Sequence, residues 1–230
     1  MEERYNAIYP DELIVDPIYH TSAFEHPSLP VLTSEKPDKF NLMIWGLIPS
    51  WVKTEKDAIE ISRTTANARA ESITSKPSFR LIAKSNRCII PISGFFEWQL
   101  VDNKKIPWFI TLKNEDIISL AGLWSEWVNP QTGEIKKTFT ILTTEANEMM
   151  AKIHNTKKRM PAILTRETEG IWLDKKTTTN EYPSIIKPLA NNLLDAYTVS
   201  PLVSNARINR NVPEVIERYI YENTNQRELF

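Results

Sequence analysis

Between residues 40 and 143 the chain alternates short apolar runs with turn-forming residues. The runs Phe40–Ile48, Arg87–Ile92, Phe95–Gln99, Trp108–Leu112, Ile117–Trp124 and Thr138–Thr143 are rich in Ile, Leu, Phe, Trp and Thr. Their length and composition predict strands. Val128–Lys136, with Asn129-Pro130 and Thr132-Gly133, predicts a hairpin loop. Helical patterns are fewer. Pro77–Lys84 follows Ser75 and carries proline in its first turn. Glu145–Ile153 follows Thr144, a good N-cap, and opens on an acid that suits the helix dipole. Glu167–Leu173 follows Thr165, and Pro213–Glu222 sets Val215, Ile216 and Tyr219 on one face. Glu2–Tyr9 also reads as helical, but nothing precedes it to cap or dock it, and a helix this short is not stable alone. The expectation is one domain over residues 1–230 whose first element is cut short, so that an N-terminal segment is missing. Strands outnumber helices and are not regularly interleaved with them. That predicts an α+β fold, with a largely antiparallel, barrel-like β core and peripheral helices, rather than a doubly wound sheet.

Composition narrows the function classes. The 28 Lys+Arg balance 29 Asp+Glu, which excludes a globally basic nucleic-acid binder and requires any anion site to be local. Positive charge does concentrate: residues 51–110 hold ten Lys/Arg against six acids, and residues 136–166 seven against two. Such windows fit a local polyanion site, although the choice of window alone can produce them. A single cysteine, Cys88, excludes an intramolecular disulfide, a CxxC redox pair and a cysteine zinc finger. The five glycines form no phosphate loop. The three histidines have no zinc-type spacing, so neither metal nor cofactor is expected. The sequence has no apolar run of about 20 residues and no signal-peptide core, so no membrane partner is expected and the protein is placed in the cytoplasm.

Four clusters carry side chains suited to chemistry. In Trp45-Gly46-Leu47-Ile48-Pro49-Ser50-Trp51 two indoles flank a turn, either as core residues or as a stacking platform for bases. In Asn67-Ala68-Arg69-Ala70-Glu71 an extended backbone would set Asn67, Arg69 and Glu71 on one face, suited to phosphate and sugar contacts or simply solvated. Within Arg87–Trp98, Cys88 reads as a small buried hydrophobe. Glu97 is a lone carboxylate in Phe-Phe-Glu-Trp, on the Phe95 side of the strand. Desolvation there would raise its pKa and suit it to acid–base work, while a half-exposed strand position explains it equally well. Finally, Thr143 is followed by His154, and then by Lys157, Lys158 and Arg159. This imidazole could shuttle protons beside phosphate-holding cations, or make a structural hydrogen bond. No GxSxG accompanies it, so a Ser-His-Asp hydrolase is poorly supported.

In this order and spacing the clusters resemble the SOS response-associated peptidase (SRAP) family, whose members attach to abasic sites in single-stranded DNA. The resemblance rests on WGLIPSW, NARAES, Phe79-Arg80, RCIIPISGFFEW, AGLW at Ala121–Trp124, FTILTTEAN at Phe139–Asn147, and the IH…RMPAIL stretch of Ile153–Leu164. It runs from about Pro30 to about Leu164, with a weaker tail to Pro213. The resemblance implies the family's fold and its chemistry. An N-terminal cysteine, exposed by loss of the initiator methionine, captures the ring-opened aldehyde as a thiazolidine. Asn67 would orient nucleophile and sugar, Glu97 would relay protons, and His154 would protonate the sugar oxygen. Arg69 and Arg159 would hold phosphates, Trp51 would stack, and Thr143 would add a polar contact. The implied partner is single-stranded DNA with an abasic site. The protein is expected to act as a monomer, nucleoid-associated when DNA-bound.

Three departures accompany the resemblance. The chain begins Met-Glu-Glu rather than Met-Cys, and Cys88 matches an internal strand cysteine with no free amine. As written, the chain lacks the nucleophile and is expected to bind without crosslinking, truncation being the favoured explanation. The family's Asn-x-Ala-Pro element reads His20-Thr21-Ser22-Ala23-Phe24. The short His-x-Arg spacing is widened to His154–Arg159, leaving the placement of Arg159 open. Two other readings remain at this level: a peptidase removing its own N-terminal segment, and a noncatalytic binding domain of the same fold.

Overall fold

A computed structural model describes residues 1–10 and 16–221. Its strands are β1 (Ser28–Thr33), β2 (Asn41–Trp45), β3 (Asn67–Arg69), β4 (Arg87–Ile92), β5 (Phe95–Val101), β6 (Lys104–Leu112), β7 (Ile118–Val128), β8 (Ile135–Glu145), β9 (Arg159–Pro161), β10 (Ile163–Leu164) and β11 (Leu194–Thr198). The helices are α1 (Glu2–Tyr5), α2 (Glu55–Thr64), α3 (Glu148–Ile153), α4 (Arg166–Leu173) and α5 (Tyr182–Ile185). Strands β7, β4, β1, β2 and β8 pair in that order, and β8 pairs back onto β7, closing a five-stranded barrel. The β2–β8 and β3–β8 contacts are parallel; the other strand pairs are antiparallel. The expected α+β fold with a largely antiparallel barrel core is therefore observed.

Strict alternation along the ring sorts its side chains into two cores. Val31, Ile90, Leu120 and Trp124 join one cluster with Trp108 and Ile110 of β6 and Met150 and Ile153 of α3. Leu32, Ile89, Ala121 and Leu123 join a second with Phe79, Trp172 and Tyr182. Strand faces with a period of two demand this split. The paired β7 and β8 are each eleven residues long. Beyond its pairing with β7, β8 continues and carries β3 on one side and β9 on the other. A separate three-stranded sheet runs β11-β6-β5, with β5 at an edge.

Several expected elements change. The region Pro77–Lys84 is a succession of turns rather than a helix, although it buries Phe79 and Ala83 as a helix face would. The helix expected after Thr144 starts at Glu148, because β9 pairing holds Thr144 and Glu145 in β8; Asn147 becomes the cap and accepts from the Met150 N–H at 2.8 Å. The segment expected as a helix from Pro213 is one 3-10 turn, Pro213–Ile216, after which Arg218 bridges to Val199; Glu222 lies outside the described residues. The first helix stops at Tyr5, where Asn6 turns left-handed with φ 48°. It is docked, against expectation: Arg4 pairs with Glu169 at 2.6 Å, the Tyr5 hydroxyl meets Ser119 at 2.6 Å, and Tyr9 stacks on Phe40. The extended run from Asn67 ends at Arg69, so Glu71 leaves the strand on a 3-10 turn. Among the described residues, no helix is long and apolar enough to cross a membrane.

Candidate functional site

Glu97 sits on β5, where the Asp102-Asn103 turn fixes the hydrogen-bond pattern. Both turn residues have positive φ, 48° and 62°, and Val101 pairs with Lys104 across it. A two-residue hairpin of this kind makes the flanking pair the doubly bonded one. The backbone groups of Leu100 and Trp98 therefore point outward, along the edge of the sheet. The Trp98 N–H donates to Glu97 Oε1 at 3.0 Å, folding the carboxylate against its own strand. Phe95 faces the first core, while Phe96 and Trp98 pack with Phe109 and Val199 on the other side. The Glu97 side chain is 20% exposed, and burial raises its pKa; the Trp98 N–H and the His154 and Lys157 charges pull the other way without cancelling the rise.

His154 follows α3 as its C-cap, its N–H donating to the Met150 carbonyl at 2.7 Å. Its Nδ1 lies 2.9 Å from the Arg159 carbonyl and 3.2 Å from Glu97 Oε2. A carbonyl only accepts, so Nδ1 carries hydrogen and the neutral ring keeps its lone pair on Nε2. The widened His154–Arg159 spacing is closed into a loop by the Lys158 N–H on the His154 carbonyl at 2.9 Å, with Lys158 at φ 51°. The arginine side chain returns to β8. Its Nη2 donates to the Thr143 carbonyl at 2.6 Å and to Thr143 Oγ1 at 3.1 Å. Glu71 takes Nη1 at 2.7 Å and Nη2 at 3.0 Å. Burial alone would raise the Glu71 pKa, but the Arg159 bonds and the nearby Arg69 charge outweigh it and hold the carboxyl below its ordinary value.

Register sets the remaining candidates beside this arginine. On β3, Arg69 pairs with Thr143 and Asn67 with Ile141, so both share the Thr143 face of β8. Asn67 and Arg69 are exposed, with Ala68 buried between them. Among the described residues, neither polar side chain makes an intramolecular hydrogen bond or ion pair. The structure thus brings Glu97 and His154 into contact and links them through Arg159 to Thr143, Arg69 and Asn67. Trp51 is half-exposed and lines a recess of about 560 Å³ with Lys53, Asp57, Glu60 and Ile61; none of Asn67, Glu97 or His154 lines it. Cys88 is fully buried, and burial pushes its thiol pKa well up, as a core residue requires. Local sequence reading missed the Glu71–Arg159 pairing, whose partners meet only through β8. It also missed the influence of Lys157 on Glu97. Among the described residues, no cluster of three or more His, Cys, Asp or Glu could hold a metal.

Comparison with known proteins places the chain in a family. The family model described as SOS response associated peptidase (SRAP) matches residues 2–206. The abasic site processing protein YoqW of Bacillus subtilis is 41% identical over 214 residues, covering 91% of each chain. The abasic site processing protein HMCES of Pongo abelii is 32% identical over 203 residues, covering 76% of this chain and 55% of that one. A crystal structure of a protein from Bacteroides thetaiotaomicron superposes with a TM-score of 0.84 at 42% identity, covering 90% of this chain and 88% of that one. The ordered motifs, the barrel and these likenesses converge: the chain belongs to the SOS response associated peptidase (SRAP) family.

Proposed function

We propose that this protein recognises abasic sites in single-stranded DNA, and that Glu97 and His154 move the proton that opens the damaged sugar. The observation that carries the reading is the 3.2 Å contact between Glu97 Oε2 and His154 Nδ1, joined through Arg159 to a strand presenting Asn67 and Arg69, which have no hydrogen-bond or ion-pair partner among the described residues. The names of its relatives, abasic site processing proteins, support the substrate class.

An abasic deoxyribose rests as a closed hemiacetal. Opening breaks the C1′–O4′ bond, forms the C1′ carbonyl, removes a proton from the C1′ hydroxyl and delivers one to O4′. His154, with Nδ1 held by the Arg159 carbonyl and Glu97, presents Nε2 to take or give that proton. The carboxylate balances the imidazolium while it is charged. Asn67 would hold the opened sugar, Arg69 and Arg159 the flanking phosphates, and Thr143 the arginine. Trp51 would stack on an unpaired base. The activity proposed here is recognition with ring opening; Cys88, sealed in the core, takes no part in it.

Fluorescence anisotropy at low salt tests recognition. A labelled single strand with one tetrahydrofuran abasic analogue should bind more tightly than the intact strand or a duplex, and added salt should weaken it steeply. Equal affinity for all three, or none, refutes it. Ring opening is read with a natural abasic site and excess hydroxylamine trap. His154→Gln and Glu97→Gln should each slow trapping by about 10²-fold.

A further inference from the structure

The widened loop between His154 and Arg159 needs something to hold the imidazole against Glu97. Strand β5 is the edge of its sheet, and the hairpin pattern leaves the Leu100 N–H and C=O facing outward. Asn155 satisfies both. Its Oδ1 accepts from the Leu100 N–H at 3.0 Å, and its Nδ2 donates to the Leu100 carbonyl at 2.8 Å. This is the two-bond closure that a neighbouring strand residue would make, supplied by one side chain. The next outward N–H on the same edge, that of Trp98, holds the Glu97 carboxylate at 3.0 Å. Outward groups two residues apart on one strand lie about 7 Å from each other. The edge of β5 therefore anchors the acid directly and the residue after the histidine through an amide. Close by, Gln99 Nε2 donates to the Lys152 carbonyl at 3.2 Å, tying the last turn of α3 to the same strand.

We propose that Asn155 is a positioning residue: by docking the His154–Arg159 loop on the open edge of β5, it sets His154 Nδ1 against Glu97. This rests on the reading of Glu97 and His154 as the proton-transfer pair. Asn155 is exposed, as are both of its bonds, so their contribution to global stability is small. The contribution to alignment is larger, because a displacement near 1 Å can cost about 10²-fold in a proton-transfer step. Asn155→Asp keeps the acceptor for the Leu100 N–H but sets a second acceptor oxygen against the Leu100 carbonyl, so it should disturb the loop at least as much as Asn155→Ala.

The test uses the whole chain and two readouts. The first is the His154 Nδ1–H signal in proton NMR, assigned with His154→Gln. In the wild type this hydrogen is held by the Arg159 carbonyl and Glu97, and its signal should be resolved. In Asn155→Ala it should broaden away through exchange, while the thermal midpoint moves by no more than a few degrees. The second is the split between affinity and rate. Binding of the abasic analogue strand should stay within about twofold, and aldehyde trapping should slow by about tenfold or more. A folded Asn155→Ala protein with an unchanged Nδ1–H signal overturns the proposal, and Asn155→Asp provides the same comparison should the alanine variant misfold. If His154→Gln and Glu97→Gln leave trapping unchanged, the functional reading fails, and the Nδ1–H signal still decides whether Asn155 positions the ring.

Discussion

Replacing Glu71 by glutamine should tighten DNA binding, which is the opposite of what loss of a conventional binding residue does. Arg159 is bonded by both terminal nitrogens to Glu71, at 2.7 and 3.0 Å, and Nη2 also serves Thr143. A DNA phosphate reaching this guanidinium must displace the carboxylate. The Glu71 side chain is 53% exposed and that of Arg159 14% exposed, so solvent and salt screen the pair. An exposed bidentate pair of this kind contributes about 0.2–1 kcal/mol. Removing the competing carboxylate should lower Kd for an abasic single strand by about 1.4- to 5-fold. Deleting a negative charge near DNA also helps through the general field, and a double-mutant cycle separates the two effects. In an Arg159→Ala background the general effect remains and the release of the guanidinium does not. The assay is anisotropy titration of four proteins (wild type, both single variants and the double variant) at several salt concentrations. The coupling should shrink as salt rises. Weaker binding by Glu71→Gln, or the same gain with and without Arg159, would show that Arg159 is not a phosphate contact held in reserve by Glu71.

Other outcomes follow from the packing. Arg87 is fully buried and serves the carbonyls of Trp172, Lys84 and Asp174 at 2.6–2.8 Å. Arg87→Met would orphan them, and urea unfolding should show a loss of about 3–5 kcal/mol at constant m; a loss below about 1 kcal/mol contradicts this. A Cβ on Gly122 would lie 2.5 Å from Ile90 Cδ1, 2.7 Å from the Thr140 carbonyl oxygen and 2.9 Å from Cys88 Sγ. Gly122→Ala should therefore cost about 1–3 kcal/mol in thermal or urea unfolding, since the carbonyl belongs to the closed barrel and cannot yield. Glu97 has its pKa raised in the folded state above the ordinary 4.5, so between those two values the native state binds more protons than the unfolded one. Stability contributed by this group is present below pH 4.5 and is lost as pH rises through the folded value. Glu97→Gln should accordingly stabilise the protein at pH 7 and lose that advantage in acid, while slowing ring opening; an equal stability difference at every pH refutes the burial argument.

The strands that define the barrel were legible where a local pattern was complete. Arg87–Ile92 coincides with β4, and Thr138–Thr143 lies inside β8. The first barrel strand, Ser28–Thr33, carries no clear strand pattern, because Pro30 interrupts the apolar run. In the barrel that proline sits opposite Leu42 of β2, and β4 pairs only from Leu32 onward, so the missing N–H is tolerated. The Asp102-Asn103 turn was missed for want of glycine, although aspartate and asparagine both tolerate left-handed backbone. Local propensity points to Thr144 as the cap of α3, because it cannot see that β9 claims that residue for the sheet. The same limit governs the site. A lone carboxylate between aromatics announces Glu97, and a basic run announces the His154 loop, but their contact depends on the free edge of β5, which only the assembled sheet defines. Asn155 gives no local signal, since an exposed asparagine in a polar loop is ordinary until the open backbone groups of Leu100 lie opposite it.

That dependence on edges explains how the fold divides its labour. The closed ring of β7, β4, β1, β2 and β8 has its backbone groups committed to barrel pairing, and of the candidate side chains it supplies Thr143 alone, from the part of β8 that extends past β7. Asn67 and Arg69 come from β3, Arg159 from the short β9, Glu97 from β5, and His154 from a loop. Edge backbone carries donors and acceptors that must be satisfied. Here the satisfying groups are the functional side chains or their immediate neighbours. The Trp98 N–H orients Glu97, Leu100 fixes Asn155, and the Arg159 carbonyl sets the tautomer of His154. Partly buried polar side chains are thereby held in fixed directions by edge backbone. Substitutions in the ring should therefore change stability before they change chemistry. Substitutions along the edges should do the reverse, because there the hydrogen bonds add little to global stability while setting the distance between acid and imidazole.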